Sequence, residues 1–169
     1  DIYYSGRVMN NNAFRDASLY DMTHLVPAAF VIAMICISLY LFAASGSIIT
    51  VISGTFATLF VIIAAILTAQ GIAAWLGIAI TTPSANAPTM ILTLAIADSI
   101  HILATFFQQM RNGTAKVDAM KESLRLNRQP VFLTSLTTMI GFLTMNFSDS
   151  PPFKDLGNVV AIGVIGAWL

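Results

Sequence analysis

Asn86–Gln108 reads NAPTMILTLAIADSIHILATFFQ, and one residue in it, Asp98, carries a formal charge. A helix needs about 20 predominantly apolar residues to cross a hydrocarbon core ~30 Å thick. This stretch has that length, and Pro88 falls in its first turn, where a missing N–H costs little. Asp98 lies close to the middle of the crossing. An ionised Asp at that depth costs about 2.5–3.5 kcal/mol on insertion scales, an expense that marks a site.

Working outward, Asp98 is the only Asp, Glu, Lys or Arg between Leu25 and Met110. The 169 residues are 57% hydrophobic and 9% charged, against roughly 25% charged in a soluble domain. The same length criterion gives an all-α membrane protein, a bundle of five transmembrane helices. The spans fall at about 25–44, 55–78, 86–108, 131–147 and 153–169, opened or separated by Pro27, Thr81-Thr82-Pro83, Pro130 and Pro151-Pro152. The divide between the first two rests on Gly46, Ser47 and Gly54. Residues 1–24 differ: Ile2-Tyr3-Tyr4 before Ser5-Gly6 suggests a strand end and a turn, and Asn10 to His24 a polar helix leading into the membrane. They read as the tail of an extramembrane domain. The opening at Asp1 and the apolar run ending at Leu169 suggest a piece of something longer.

Five of the eight Lys and Arg residues (Arg111, Lys116, Lys121, Arg125 and Arg128) fall in the segment 109–130. Basic residues in short loops stay on the cytoplasmic side, which puts residues 1–24 and the Ser148–Lys154 turn outside. Within the basic segment Val117, Met120 and Leu124 recur at helical spacing, the pattern of a short amphipathic helix along the membrane surface. A net charge of zero offers nothing to nucleic acid. Cys36, alone in an apolar run, forms no internal disulfide and reads as a small buried thiol. There is no Gly-rich phosphate loop, zinc-ligand spacing or Gly-x-Ser-x-Gly elbow, so neither an enzyme nor a cofactor is expected.

The chemistry therefore centres on Asp98. Hydrocarbon penalises the charged form of a carboxyl, and an acid able to take up and release a proton within the membrane is what a proton carrier needs. Ser99 adjoins it, and His101, three residues on, shares its helix face. An imidazole there could accept the proton or hold it by hydrogen bond, or simply be satisfied by a neighbouring hydroxyl or carbonyl. Asp-x-x-His is too small a set for a metal. The fourth span adds Thr134, Ser135, Thr137, Thr138 and Thr144, with Gly141 permitting a close approach. Thr134 and Thr138, four apart, share a face that could turn toward Asp98, although such hydroxyls also bond their own helix carbonyls. The expected proton-relay set is Asp98, His101, Ser99, Thr134 and Thr138.

Ala97-Asp98-Ser99-Ile100-His101-Ile102-Leu103 resembles the fourth-helix motif of RND-superfamily exporters of the MMPL and Patched-like branch. So do the basic segment after it, Thr134-Ser135-Leu136-Thr137-Thr138 with Gly141-Phe142, the turn Ser148-Asp149-Ser150-Pro151-Pro152, and then Leu156-Gly157 and Gly163. The likeness runs from about Tyr4 to Leu169. It implies that the five spans are the second to sixth of twelve, the unit called the sterol-sensing domain in eukaryotic relatives. Residues 1–24 would be the exit from a porter domain. It further implies a multi-pass protein of the cell inner membrane that exports lipids or other hydrophobic molecules, driven by protons through Asp98. Its partners would be the bilayer, a second transmembrane half and further copies in an oligomer. The alternative in the same frame is a sterol- or lipid-sensing module without transport. Two departures stand out: Phe42–Ser47 lacks the basic residues often found at that turn, and Ala-Asp-Ser with His101 stands where the family often has Gly-x-Asp-Tyr. A cysteine placed at Gly113 is expected to react with a membrane-impermeant thiol reagent only after the cytoplasmic face is opened; labelling of intact cells would reverse the assigned orientation.

Overall fold

The computed structural model describes residues 6–169, so the strand end expected at Ile2–Tyr4 lies outside the described residues. Those residues form six α-helices and no strand, an all-α membrane bundle. Helix α1 (Arg7–Tyr20) is polar and exposed, and it passes through one wide π turn at Asp21–Leu25 into α2 (Val26–Ser45). The polar helix leading into the membrane and the first span are thus one continuous helical stretch.

Gly46 ends α2 in the left-handed conformation (φ 64°), its N–H donating to Phe42 O at 2.8 Å. Helix α3 (Ile48–Trp75) starts at once, seven residues ahead of the expected 55. Gly54, read above as part of the break, lies inside α3, where a Cβ would sit 2.7 Å from Leu41 Cδ1. It is a contact glycine; Gly46 alone makes the turn. The link to α4 (Ala87–Arg111) is a hydroxyl-stabilised turn in which Thr81 N–H donates to Ser84 Oγ at 2.6 Å.

Helix α5 (Lys116–Leu143) corrects the boundaries assigned to the basic segment. The loop is short, Lys116 is already helical, and the helix runs through Pro130 into the fourth span without stopping. The face it packs into the bundle is separate from the apolar stripe expected along the membrane surface. Val117 and Leu124 are 65% and 50% exposed, whereas Ala119 and Ser123 are fully buried. A 3₁₀ turn at Thr144–Phe147 extends α5, and α6 (Pro151–Trp168) follows.

By length and composition four helical stretches can cross a membrane: Val8–Ser45, Ile48–Trp75, Ser84–Arg111 and Lys116–Phe147. Helix α6, over the fifth expected span, has 18 residues and carries Lys154 and Asp155 near its start. It is nonetheless the most enclosed element, burying Leu156, Gly157, Val159, Val160, Ala161, Gly163 and Val164. Ala65, Ala69 and Ala73 repeat every four residues on α3 and give α6 a flat seat beside Ala87 and Ile91 of α4. Small residues allow this because lipid-embedded helices associate through packing, with little hydrophobic drive. A second cluster joins Ile37 and Leu41 of α2 to Phe106 and Phe107 of α4 and Ala119 of α5.

The outer faces of α2 and α3 are built from large apolar side chains: Leu39 is 65% exposed and Phe60 74%. Such surfaces suit lipid. Cys36 is on this exterior, exposed, so the expectation of a buried thiol is wrong: the apolar run around it faces outward. Gly163→Leu, which would drive side-chain atoms into Ile91 and Ala69, is expected to cost about 1–3 kcal/mol by overpacking. Gly71→Ala, into open space, is expected to leave the melting temperature unchanged or raise it, as followed by helical circular dichroism in detergent.

Candidate functional site: an intramembrane acid on the α4–α5 seam

On α4, Asp98 lies in line with buried Ala95 and Ile91, one and two turns before it. This register carries its side chain into the seam with α5, where it is half-buried. Ser135, buried on α5, donates its hydroxyl to Asp98 Oδ2 at 3.2 Å. Ala119, Ser123, Asn127, Val131 and Ser135 recur every four residues, a stripe that keeps facing α4 across Pro130.

Two more polar ties close the same seam. Asn127 Nδ2 donates to Thr105 Oγ1 at 2.8 Å and to Ser123 O at 2.9 Å. The Ser123 hydroxyl donates to the carbonyl of Ile102. Asp98, Ile102 and Thr105 occupy one face of α4, so the three ties form a ladder down one interface.

The other expected relay residues sit elsewhere. Thr134 is exposed and donates to its own helix, to Val131 O at 2.9 Å and Pro130 O at 3.2 Å. Thr138 is half-buried, but the hydroxyl that reaches Asp98 belongs to Ser135. Ser99 is half-buried and His101 is exposed; the His101 carbonyl accepts from Thr105 Oγ1 at 3.1 Å. Sequence reasoning missed Ser123, Asn127 and Thr105. The four-residue recurrence from Ala119 to Ser135 was the available signal, obscured by treating residues 109–130 and 131–147 as separate elements.

A carboxyl–hydroxyl pair in this setting responds to a proton. Ionised, Asp98 accepts a charge-assisted bond from Ser135, roughly twice as strong as a neutral one. Once neutral, it can donate as well as accept, and the pull between α4 and α5 weakens. Among the described residues no group of three or more His, Cys, Asp or Glu comes together to hold a metal.

A further surface adjoins the acid. Thr93, Ala97 and His101 on α4, Thr134, Thr137 and Gly141 on α5, and Thr144 in the turn that extends α5 are all exposed and all small or polar. This contrasts with the Ile, Leu and Phe exteriors of α2 and α3.

A helical bundle with an apolar exterior and an acid held between two of its spans defines a multi-pass integral membrane protein with an intramembrane polar site. The chain matches the MMPL family over residues 1–169 and belongs to it. It is 29% identical over 103 residues to MJ1562 of Methanocaldococcus jannaschii, a protein named only as a membrane protein. That match covers 61% of this chain and 26% of the relative, so the chain spans about a quarter of the length of the curated relative it matches. No solved structure matches it. A double-mutant cycle on Asp98→Ala and Ser135→Ala is expected to give a coupling energy near 0.6 kcal/mol, up to about 1.7, from the melts of the four proteins. The same cycle with Thr134→Val should give none.

Proposed function

We propose that this chain is half of the membrane domain of a proton-motive-force-driven exporter of the RND type, with Asp98 as its proton carrier and lipids or other hydrophobic molecules as cargo. The observation that carries the reading is the Asp98–Ser135 pair. A single acid, deep in an apolar bundle, is tied to a neighbouring helix by a bond whose strength depends on its proton. An acid kept at that depth is expensive, and switching its charge biases two helix packings by a few kcal/mol.

In the mechanism, the proton reaches Asp98 from the outer side and neutralises it. The tie to Ser135 loosens, α4 and α5 repack, and the proton leaves toward the basic, cytoplasmic end. The exposed small and polar stripe on these two helices receives the second transmembrane half, which spares its hydroxyls and the His101 ring from lipid. His101 then lies at the junction of the halves, within reach of the proton path. Helix α6 supplies the fifth crossing; at about 27 Å it is short for the bilayer, but its neighbours enclose it. The protein resides in the inner membrane, assembles as an oligomer and performs no covalent chemistry on its cargo.

A hydrophobic cargo is favoured by an apolar groove of about 520 Å³ at the opposite end from the basic segment. It lies between the start of α2 and the start of α4, with Leu25, Ala29, Ile32 and Met90 on its walls and Asp21, Asn86 and Thr89 as its polar residues. In the full-length protein, Asp98→Asn is expected to reduce export to background while membrane insertion and melting temperature hold. Ser135→Ala should slow export by less, roughly two- to tenfold, in line with the loss of one hydrogen bond of about 0.5–1.5 kcal/mol. Export by Asp98→Asn at the wild-type rate would end the coupling role and leave a proton-independent lipid-sensing module.

A further inference from the structure

At the basic end of the bundle the α2–α3 turn, the last turns of α4 and the first turns of α5 enclose a cavity of about 730 Å³. It exists because one wall is built from small residues, Ala43, Ala44, Gly46, Gly54 and Ala57. Its opposite wall is apolar and bulky, with Leu103, Phe106 and Phe107. Two cations, Arg111 and Lys116, complete the lining. The volume lies within the range of ligand pockets, roughly 300–1,000 Å³.

Of the five basic residues in this segment, these two line the cavity. Lys121 pairs with Asp118 at 3.7 Å and Arg125 with Glu122 at 2.6 Å, and these are the ion pairs among the described residues. Arg111, Lys116 and Arg128 take part in neither, and of these three Arg111 and Lys116 line the cavity. One guanidinium nitrogen of Arg111 donates to the α2-terminal carbonyls, to Ala44 O at 2.7 Å and Ala43 O at 3.4 Å. This anchors the arginine at the cavity and leaves its remaining N–H groups for an anion. Lys116, the first residue of α5, is exposed.

We propose that this cavity binds one anionic phospholipid from the leaflet on the basic side, with its phosphate between Lys116 and Arg111 and the upper part of an acyl chain against Phe106, Phe107 and Leu103. Charge complementarity selects the anion. The apolar lining, which includes Leu103 and the 80% exposed Ile49, selects a lipid over a free phosphate, because a phosphate offers it no apolar surface to pack against. Entry is from the bilayer, since Ile49, which lines the cavity, is 80% exposed on the outside of α3. The lipid bridges the α2–α3 turn and the α4–α5 connection, two elements that otherwise meet here through Arg111 and the Ile37–Phe107 cluster.

The inference stands apart from proton coupling at Asp98. The test is native mass spectrometry of the full-length protein in detergent, titrated separately with phosphatidylglycerol, with phosphatidylcholine of the same chains, and with inorganic phosphate. Phosphatidylglycerol is expected to be retained in preference to phosphatidylcholine. Lys116→Gln should lower its affinity about fivefold, the effect of one basic contact at a membrane surface. Lys116→Arg should restore it, and Lys121→Gln and Asp98→Asn should leave it unchanged. Ala57→Trp, which fills the cavity, should reduce retention of both lipids, with the melting temperature of each variant confirming that it is folded. Equal retention of the two lipids with no response to Lys116→Gln would overturn the proposal. Displacement of phosphatidylglycerol by an equal concentration of inorganic phosphate would overturn it too.

Discussion

How closely α6 approaches its neighbours governs the geometry of the whole bundle. At Gly163 the side chain of Ile91 on α4 occupies the place a Cβ would take, and at Gly157 the carbonyl of Phe142 on α5 does the same. Dispersion and shape hold lipid-embedded helices together, and each added methylene at such a contact pushes two backbones apart. Ile91 is two turns before Asp98, and Phe142 two turns beyond Ser135. The two glycine contacts thus hold α4 and α5 at a fixed spacing, and the 3.2 Å bond between Asp98 and Ser135 is made at that spacing. A helix that contributes no functional side chain decides whether two others can exchange a hydrogen bond.

Much of the fold was legible because hydrocarbon imposes simple rules. Long apolar runs punctuated by Pro and Gly marked the helices around 25–44, 86–108 and 153–169, and Gly46 was identified as a turn. Less legible was anything set by neighbours. Gly54 looked like punctuation and is a packing surface for Leu41. Pro130 looked like a helix start and lies inside α5, since proline can be accommodated within a membrane helix when neighbours and hydroxyls satisfy the freed groups. Cys36 looked buried because its surroundings are apolar, yet in a bilayer the apolar side is the outside.

The candidate site divides in the same way. Asp98 was found from charge alone, since a lone acid in a span needs no structure to be conspicuous. Its partner was not. Ser135, Thr134 and Thr138 are chemically near-equivalent and lie within one turn of each other, and only the rotation of α5 about its axis separates them. That rotation is set by the recurrence of Ala119, Ser123, Val131 and Ser135 against α4. Small side chains recurring every fourth residue mark a contact face more faithfully here than large ones. Many large apolar side chains, Phe60 and Trp75 among them, face away from it.

Helix α1, the π turn and α2 together form a single helical stretch, whose 38 residues from Val8 to Ser45 span about 57 Å and turn from polar to apolar along its length. A strut of that kind has little slack. It connects the polar end directly to the Gly46 hairpin on the far side of the bundle. The π turn at Asp21–Leu25 is the one joint along the way, a place where the helical pitch is already altered and a further residue of slip costs least.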